Sequence, residues 1–324
     1  MKLTFDQVKK ITVGAIDIYQ ASDGIHFSKC TQKQIDEWYR CREDIGKRAT
    51  MTVGIRLDFH TNSKTLRFAA TSGKKYEVYI DGLFKSLFDM DDLRVCGKAA
   101  ELTISEDGAE HRVTLYLPAH NEAGVLEFVE LDSGAALVPH KFDTKILFLG
   151  DSITQGAVAE HDSLSYAMRV SRFFDAESIV NGIGSAYFNE KAFDTIDFQP
   201  DTVVIAFGTN DFDHYSSLEE LKYHANAYMD LVASEYSACA ENIFYISPIW
   251  RGDLEKRKRA VGSFEECRTA LADIAVRHGF VHVDGLDLVP HSPDMFGDKF
   301  IIHPNEEGFA KYASNLIKIM TKYK

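Results

Sequence analysis

Apolar and polar residues alternate in short runs through the N-terminal part of the chain. Val113, Leu115 and Leu117 illustrate the alternation, and Asp-Gly or Ser-Gly pairs separate several of the runs. A period of two, interrupted by turn residues, is typical of antiparallel strands that bury one face. The runs with this pattern are 51–61, 64–72, 74–82, 100–107, 111–119 and 124–132. They predict an antiparallel β-sandwich, with one hairpin turning at Asp81-Gly82.

The pattern changes near residue 140, where longer apolar runs alternate with helix-like segments. The near-continuous apolar runs, typical of parallel strands covered on both faces, are 145–150, 177–183, 201–208, 242–250 and 279–285. Between and after them, apolar residues recur at three- and four-residue steps, which predicts helices over 165–174, 218–236, 265–279 and 305–323. Alternating strands and helices indicate a doubly wound parallel sheet of the α/β class.

The segment 139–145 separates these two patterns. We therefore expect two domains, a β-sandwich accessory domain over residues 1–140 and an α/β domain over residues 141–324. The sequence shows no internal repeat in either part.

Net charge narrows the choice of partners. The chain has a formal charge of −13, which argues against non-specific binding to nucleic acid or to anionic membranes, because both select basic surfaces. The basic run at 256–259 is interpreted as a solvated helix start within this acidic chain. We expect no nucleic-acid partner and no membrane association, and the sequence leaves open whether the protein forms homo-oligomers.

Cysteine usage and the N-terminus bear on the compartment. The chain has five cysteines, an odd number, and no two of them have C-x-x-C spacing. This pattern argues against a disulfide scaffold and against a zinc site. The N-terminus lacks the pattern of a signal peptide, and no stretch approaches the ~18 apolar residues of a membrane span. The expected location is the cytoplasm.

Polar residues follow the predicted parallel strands, at the edge where such sheets bind ligands. Ser152 follows the first strand in the motif GDSITQG, and a glycine loop, NGIGSA, follows the second. Asn210 follows the third strand in GTND, and His303 stands in HPN before the last helix. A hydroxyl, backbone amides, a carboxamide and an imidazole are the groups that acyl transfer requires.

These groups suggest complementary roles. A serine hydroxyl needs a base to take its proton, and His303 is the candidate base because imidazole titrates near neutral pH. An oxyanion would be stabilised by the N–H of Ser152, by a backbone N–H from the loop 182–185 and by the side-chain amide of Asn210. The motif GDSITQG is a poor match to a phosphate-binding loop, because it lacks the lysine of a P-loop.

Together these motifs resemble the SGNH (GDS-L) hydrolases over roughly residues 144–323. The resemblance implies a flavodoxin-like sheet, ester hydrolysis through an acyl-enzyme on Ser152, and no metal or organic cofactor. The G-x-S-x-G elbow of α/β-hydrolases is absent.

Two positions depart from the family pattern. The aspartate that usually lies three residues before the histidine is replaced by Phe300. Either Asp298 orients His303 through a bulged loop, or a backbone carbonyl does so and the site is a dyad; Asp298 as a solvated loop acid is the plain alternative. The compact glycine loop leaves Gly184 or Ser185 as the oxyanion donor, and we predict Gly184.

The predicted sandwich before the SGNH region resembles the architecture of two-domain carbohydrate esterases, in which a jelly-roll precedes the hydrolase. That resemblance implies an O-acetylesterase acting on a small-molecule or oligosaccharide ester. The predicted substrate-binding residues lie in the strand-end loops and are Asp151, Ser185, Tyr187, Asp211 and Trp250. Tyr187 and Trp250 are candidates for sugar stacking or for the acyl pocket, and for Trp250 a place in the core or pocket wall is favoured over a specific sugar platform.

Other functions remain open at this stage. A lysophospholipase or acyl-thioesterase would use the same groups with a longer apolar groove. A carbohydrate-binding protein with an inactive hydrolase domain would fit the missing aspartate at position 300, although Ser152, Asn210 and His303 argue against it.

Overall fold

The chain forms two compact units. The computed structural model describes residues 1–119, 122–253 and 259–323. The first unit, here the sandwich unit, comprises Met1–Cys30, Thr50–Phe142 and His161–Ser163. The second, here the α/β unit, comprises Thr31–Ala49, Asp143–Glu160 and Leu164–Lys324. The chain therefore crosses between the units several times, whereas the sequence suggested a single crossing at 140/141.

Helices and strands are numbered in chain order. The helices are α1 Phe5–Ile11, α2 Gln32–Cys41, α3 Glu43–Ala49, α4 Met90–Val95, α5 Ser152–Gln155, α6 Tyr166–Phe173, α7 Asp211–His214, α8 Leu218–Tyr236, α9 Phe264–Arg277 and α10 Glu306–Met320. The strands are β1 Thr12–Val13, β2 Asp17–Ala21, β3 Gly24–Ser28, β4 Arg56–Thr61, β5 Thr65–Ser72, β6 Lys75–Ile80, β7 Leu83–Asp89, β8 Ala100–Thr103, β9 His111–Tyr116, β10 Val125–Leu131, β11 Val138–Pro139, β12 Thr144–Gly150, β13 Ala176–Gly182, β14 Thr202–Ala206, β15 Asn242–Ile246 and β16 Val281–Val283.

Two antiparallel sheets build the sandwich unit. One has the order β1-β4-β9-β6-β7 with β11 beside β4, and the other has the order β2-β3-β10-β5-β8. Alternate residues of both sheets, such as Leu57, Val113, Phe68 and Leu126, belong to one buried core. The period-two pattern of the sequence therefore marks the inward faces, as predicted.

The hairpin predicted at Asp81-Gly82 joins β6 to β7. Asp81 and Gly82 both have positive φ, 51° and 76°. Positive φ at both central residues is the requirement of a type I′ turn, which matches the twist of the paired strands and explains the Asp-Gly sequence.

A short segment of the sandwich unit, His161–Ser163, comes from beyond the main crossing point. The buried Glu77 side chain holds it, accepting a hydrogen bond from the Ser163 N–H at 3.1 Å. Asp162 in turn accepts a hydrogen bond from the Gly54 N–H at 3.0 Å. These two buried hydrogen bonds, both within the sandwich unit, hold the segment there.

Five parallel strands form the sheet of the α/β unit, in the order β13-β12-β14-β15-β16. This is the flavodoxin-like order, and it confirms the predicted doubly wound fold. The strand order reverses at β12, so the crevice for a ligand lies beyond the carboxyl ends of β12 and β14. Ser152 follows β12 and Asn210 follows β14, which places both at this position.

The helical segment 31–49 was not predicted. Thr31 caps α2 in a capping box with Gln34, and Trp38 is buried. The Thr31 hydroxyl also donates to Asp194 Oδ2 at 2.6 Å, within the α/β unit. The expected domain boundary assigned this segment to the sandwich, but its capping and packing join it to the α/β unit.

Residues 256–258 of the basic run lie outside the described residues. Within the described ranges, no helix combines the length and apolar character that a membrane crossing requires.

Candidate active site

Ser152 is the first residue of the short helix α5, directly after β12. The flanking glycines are required by close packing at this turn. A Cβ on Gly150 would lie 2.1 Å from Thr154 Oγ1, and a Cβ on Gly182 would lie 2.4 Å from the Gln155 backbone nitrogen. The strand ends in glycine because α5 packs directly against the ends of β12 and β13.

The Ser152 hydroxyl faces the imidazole of His303. Ser152 Oγ lies 2.8 Å from His303 Nε2, although 151 residues separate them in sequence. His303 stands just before α10, and an isolated bridge between Phe296 and Pro304 fixes the approach of its loop. The distance is suitable for transfer of the hydroxyl proton to the ring.

The other ring nitrogen of His303 meets Asp298. Asp298 Oδ2 lies 3.0 Å from His303 Nδ1 and also accepts the His303 backbone N–H at 2.6 Å. Ile301 adopts a positive φ of 57°, which turns the chain back around the carboxylate. The bulged loop that the sequence left open is therefore present, and the arrangement is a triad.

Electrostatics favour the required protonation states. Burial would raise the pKa of Asp298, but the backbone N–H groups of His303, Ile302 and Phe300 outweigh it and hold that pKa below its ordinary value. Burial lowers the pKa of His303, against the opposing effect of Asp298. An ionised Asp298 only accepts hydrogen bonds, so Nδ1 carries the ring hydrogen and Nε2 is free to take a proton.

The prediction that the Gly184 N–H is the oxyanion donor is wrong. Its N–H donates to Gln155 Oε1 at 2.7 Å and is therefore already engaged. The N–H groups of Ser152 and Ser185 make no hydrogen bond to any described residue. Ser185 is thus the backbone donor that the loop leaves available, the alternative that the sequence had left open beside Gly184.

Asn210 is the N-cap residue of α7, but its side chain makes no capping hydrogen bond to that helix. Asn210 Nδ2 donates one hydrogen to the Ala186 carbonyl at 2.8 Å, and among the described residues nothing uses the second. The buried Arg251 fixes the same loop, donating to the Thr209 carbonyl at 2.8 Å and to Asp213 Oδ2 at 3.0 Å. Arg251 follows β15 in the chain, and no sequence motif assigns it a role.

Two predicted substrate-binding residues point into the protein instead. Asp151 is buried and caps α5, accepting the Ile153 N–H at 2.9 Å. Asp211 is buried and accepts the Phe188 N–H at 2.8 Å. Burial raises the pKa of both carboxyl groups to about 7. Both carboxylates accept backbone N–H groups and so stabilise the loops that carry the motifs. The prediction of substrate contact is therefore wrong for both.

The remaining predicted residues flank the site as partly exposed groups. Tyr187 stacks on His214 with ring centroids 3.6 Å apart, so one ring face is already covered. Trp250 stacks on His291 at 5.8 Å. The Ser185 hydroxyl accepts a hydrogen bond from a guanidinium nitrogen of Arg48 at 2.6 Å. Contact with substrate stays a prediction for all three.

A serine, a histidine and an aspartate in hydrogen-bonded series can perform acyl transfer. Among the described residues, no group of three or more His, Cys, Asp or Glu side chains is arranged to hold a metal ion.

Residues 148–311 match the model of the GDSL-like lipase/acylhydrolase family. The chain belongs to this family. The matched range includes Ser152, Asn210 and His303, which the sequence motifs identified, and Asp298, whose role the sequence left open. No curated protein sequence matches the chain significantly.

Solved structures extend the likeness of this GDSL-like chain over both units. A salicylyl-acyltransferase from a tetracycline biosynthetic pathway superposes with a TM-score of 0.76 at 16% identity, covering 96% of this chain and 94% of that chain. A family two carbohydrate esterase from Cellvibrio japonicus gives 0.66 at 16% identity, covering 100% and 97%. An acetyl xylan esterase from the rumen bacterium Butyrivibrio proteoclasticus gives 0.58 at 14% identity, covering 83% and 90%. At these identities the likeness establishes the fold.

Proposed function

We propose that this protein is a serine esterase that removes O-acetyl groups from carbohydrates through an acyl-enzyme. The observation that supports it best is the series from Ser152 Oγ through the His303 ring to Asp298, with contacts of 2.8 and 3.0 Å. A turn serine or a decayed site would have no reason to keep the Ser152–His303 contact across 151 residues of sequence together with the Asp298–His303 contact.

In the first half-reaction, Ser152 Oγ attacks the ester carbonyl carbon while its proton passes to His303 Nε2. The carbonyl oxygen becomes an oxyanion, which the N–H groups of Ser152 and Ser185 and the free amide hydrogen of Asn210 stabilise. The intermediate collapses, the C–O bond to the alcohol breaks, and His303 returns the proton to the departing sugar oxygen.

In the second half-reaction, water attacks the acyl-enzyme and His303 Nε2 takes its proton. Collapse of the second intermediate releases acetate and restores the Ser152 hydroxyl. Asp298 keeps the same hydrogen bond throughout and stabilises the imidazolium that forms in each half.

The carbohydrate part of the proposal is supported by structural relatives and by two aromatic side chains. Structural relatives include a family two carbohydrate esterase and an acetyl xylan esterase, and those activities belong to those proteins. In this chain, Tyr187 and Trp250 follow the strands β13 and β15 and are partly exposed. Such aromatic rings are suited to stacking on a sugar ring.

The test is hydrolysis of p-nitrophenyl acetate, butyrate and octanoate, and acetate release from acetylated oligosaccharides. We expect the acetyl ester to be preferred, acetate to be released from the oligosaccharides, and Ser152→Ala to abolish both. Ser237→Ala, an exposed serine at the end of α8, is the matched control and should retain full activity.

Other outcomes would select other functions. Preference for octanoate would indicate a lysophospholipase or acyl-thioesterase. Binding of oligosaccharides without turnover of any ester would indicate a carbohydrate-binding protein with an inactive hydrolase domain.

A further inference from the structure

Arg48, in the last turn of α3, reaches the loop that follows β13. Its Nη1 donates to Ser185 Oγ at 2.6 Å and to the Gly184 carbonyl at 3.3 Å. The residue lies 137 positions before Ser185 and outside the range 148–311 that matches the family model. Nothing in the site motifs indicates this contact.

The loop that Arg48 contacts has an unusual backbone conformation. Ser185 has a φ of 65°, in the left-handed region that residues with side chains rarely adopt. Such a conformation persists only where the surroundings hold it. Here the Ser185 hydroxyl and the preceding carbonyl are bound by the same guanidinium nitrogen, so one side chain fixes both sides of the strained residue.

Arg48 is itself held in place. Asp44, one turn earlier on α3, lies with Oδ2 3.1 Å from Arg48 Nη1. The aliphatic stem packs on the loop, since a Cβ added to Gly184 would lie 2.6 Å from Arg48 Cδ. Glycine at 184 is therefore needed for the close approach of this stem.

The guanidinium also lies within electrostatic reach of the catalytic base. Burial is the main reason that the pKa of His303 lies below its ordinary value, and the positive charge of Arg48 adds to the effect. This agrees with a location beside the reacting groups.

We propose that Arg48 is a positioning residue for the esterase reaction, holding Ser185 in its left-handed conformation so that the Ser185 N–H is presented to the oxyanion. The inference rests on the proposed function. It assigns to α3 a part in transition-state stabilisation, and it explains why the loop donor is Ser185 while the Gly184 N–H is engaged by Gln155.

The experiment compares kcat and KM for p-nitrophenyl acetate in wild type, Arg48→Ala, Arg48→Lys and Lys47→Ala. An oxyanion donor displaced by about an ångström is expected to lower kcat about tenfold to hundredfold, with KM changed less than about twofold. Arg48→Lys should fall between, because the lysine side chain keeps the positive charge but is one bond shorter, which leaves its ammonium farther from both acceptors. Lys47, the neighbouring cation on α3, pairs with Glu43 and should be neutral when replaced.

Chemical rescue and a double-mutant cycle distinguish a positioning role of Arg48 in the reaction from a contribution to protein stability alone. Guanidinium chloride at low millimolar concentration should restore part of kcat in Arg48→Ala, whereas it can only weaken a protein that is merely destabilised. Arg48→Ala and Ser185→Ala should be non-additive, because each removes the same contact.

The failure of this inference differs from failure of the proposed function. If wild type is inactive, or Ser152→Ala retains activity, the proposed function fails. If wild type is active and Arg48→Ala keeps its kcat, changes KM alone, or loses kcat only in step with its melting temperature and without rescue, the role of Arg48 is overturned. Should Arg48→Ala fail to fold, Arg48→Lys decides by the same kcat criterion.

Discussion

Asp298 accepts hydrogen bonds from both the ring and the backbone of His303, only five residues later in the chain. Its Oδ2 lies 3.0 Å from Nδ1 and 2.6 Å from the backbone nitrogen. The loop closes so tightly because Ile301 takes a left-handed conformation, and its N–H donates to the Asp298 carbonyl at 3.0 Å. One carboxylate thus shapes the loop and orients the ring that the loop presents.

Replacing Asp298 by asparagine should lower kcat by roughly 10²–10⁴-fold. An amide can donate to Nδ1, which favours the tautomer with its hydrogen on Nε2 and blocks proton transfer from Ser152. The measurement is steady-state hydrolysis of p-nitrophenyl acetate. Asp287→Asn, an exposed acid in the turn Gly285–Asp287, serves as the control. A variant with near-wild-type kcat would show that a backbone carbonyl can orient His303 instead.

The pH profile should reflect the lowered pKa of His303. Neutral Nε2 is required as the base, so kcat/KM should fall as pH decreases through that pKa, with a midpoint below 6.5. A profile measured at constant ionic strength, with a midpoint at or above 7, would contradict the assignment of His303 as the base in this environment.

Gly184→Ala should impair both the loop and the reaction. The new Cβ would lie 2.6 Å from Arg48 Cδ and 2.9 Å from Gln155 Oε1, so the loop must shift. We expect a loss of about 1–3 kcal/mol of stability and a lower kcat. Thermal unfolding and hydrolysis measure the two effects. Gly97→Ala, where an added methyl would meet nothing within 4 Å, should leave kcat unchanged.

The buried Asp211 should make stability depend on pH. Burial raises its pKa to about 7 in the folded state, above the ordinary value of 3.8 for an unburied aspartate. Between these values the folded state binds a proton that the unfolded state has lost, so stability falls as pH rises towards 7 and is level above it. Asparagine does not titrate. The stability of Asp211→Asn relative to wild type should therefore increase by about 2–3 kcal/mol from pH 5 to pH 7.

Urea unfolding of both proteins at pH 5, 6 and 7 measures this difference. A difference that does not vary with pH would mean that Asp211 remains ionised, or protonated, across the whole range. Any effect of losing the contact itself should be similar at each pH and does not affect the comparison.

The sequence was sufficient for the parallel sheet, because strands buried on both faces leave long apolar runs. It was sufficient for Ser152 and Asn210, which lie in motifs at strand ends, and for His303, which lies in a motif before the last helix. It was misleading for Asp151 and Asp211, since motif position does not tell which way a side chain points. Asp151 serves as a helix cap and Asp211 as a buried acceptor.

Long-range contacts set the limit of sequence reasoning. The engagement of Gly184 by Gln155 depends on how tightly α5 packs on β13, which no local pattern records. The helix α2 did have a local signal, a Thr31-x-x-Gln34 capping box, but it stands within a region of strand-like alternation. The contact of Arg48 with Ser185 joins two segments that only the fold brings together.

The segment 31–49 also has a consequence for how the chain is made and divided. The polypeptide enters the α/β unit at Thr31, returns to the sandwich unit at Thr50, and completes the sandwich unit only at Ser163. During synthesis from the N-terminus, the last segment of the sandwich unit, His161–Ser163, emerges only after Ser152. The two units are consequently not exchangeable modules: an α/β unit excised at residue 141 would leave α2 and α3 behind, and Arg48 with them.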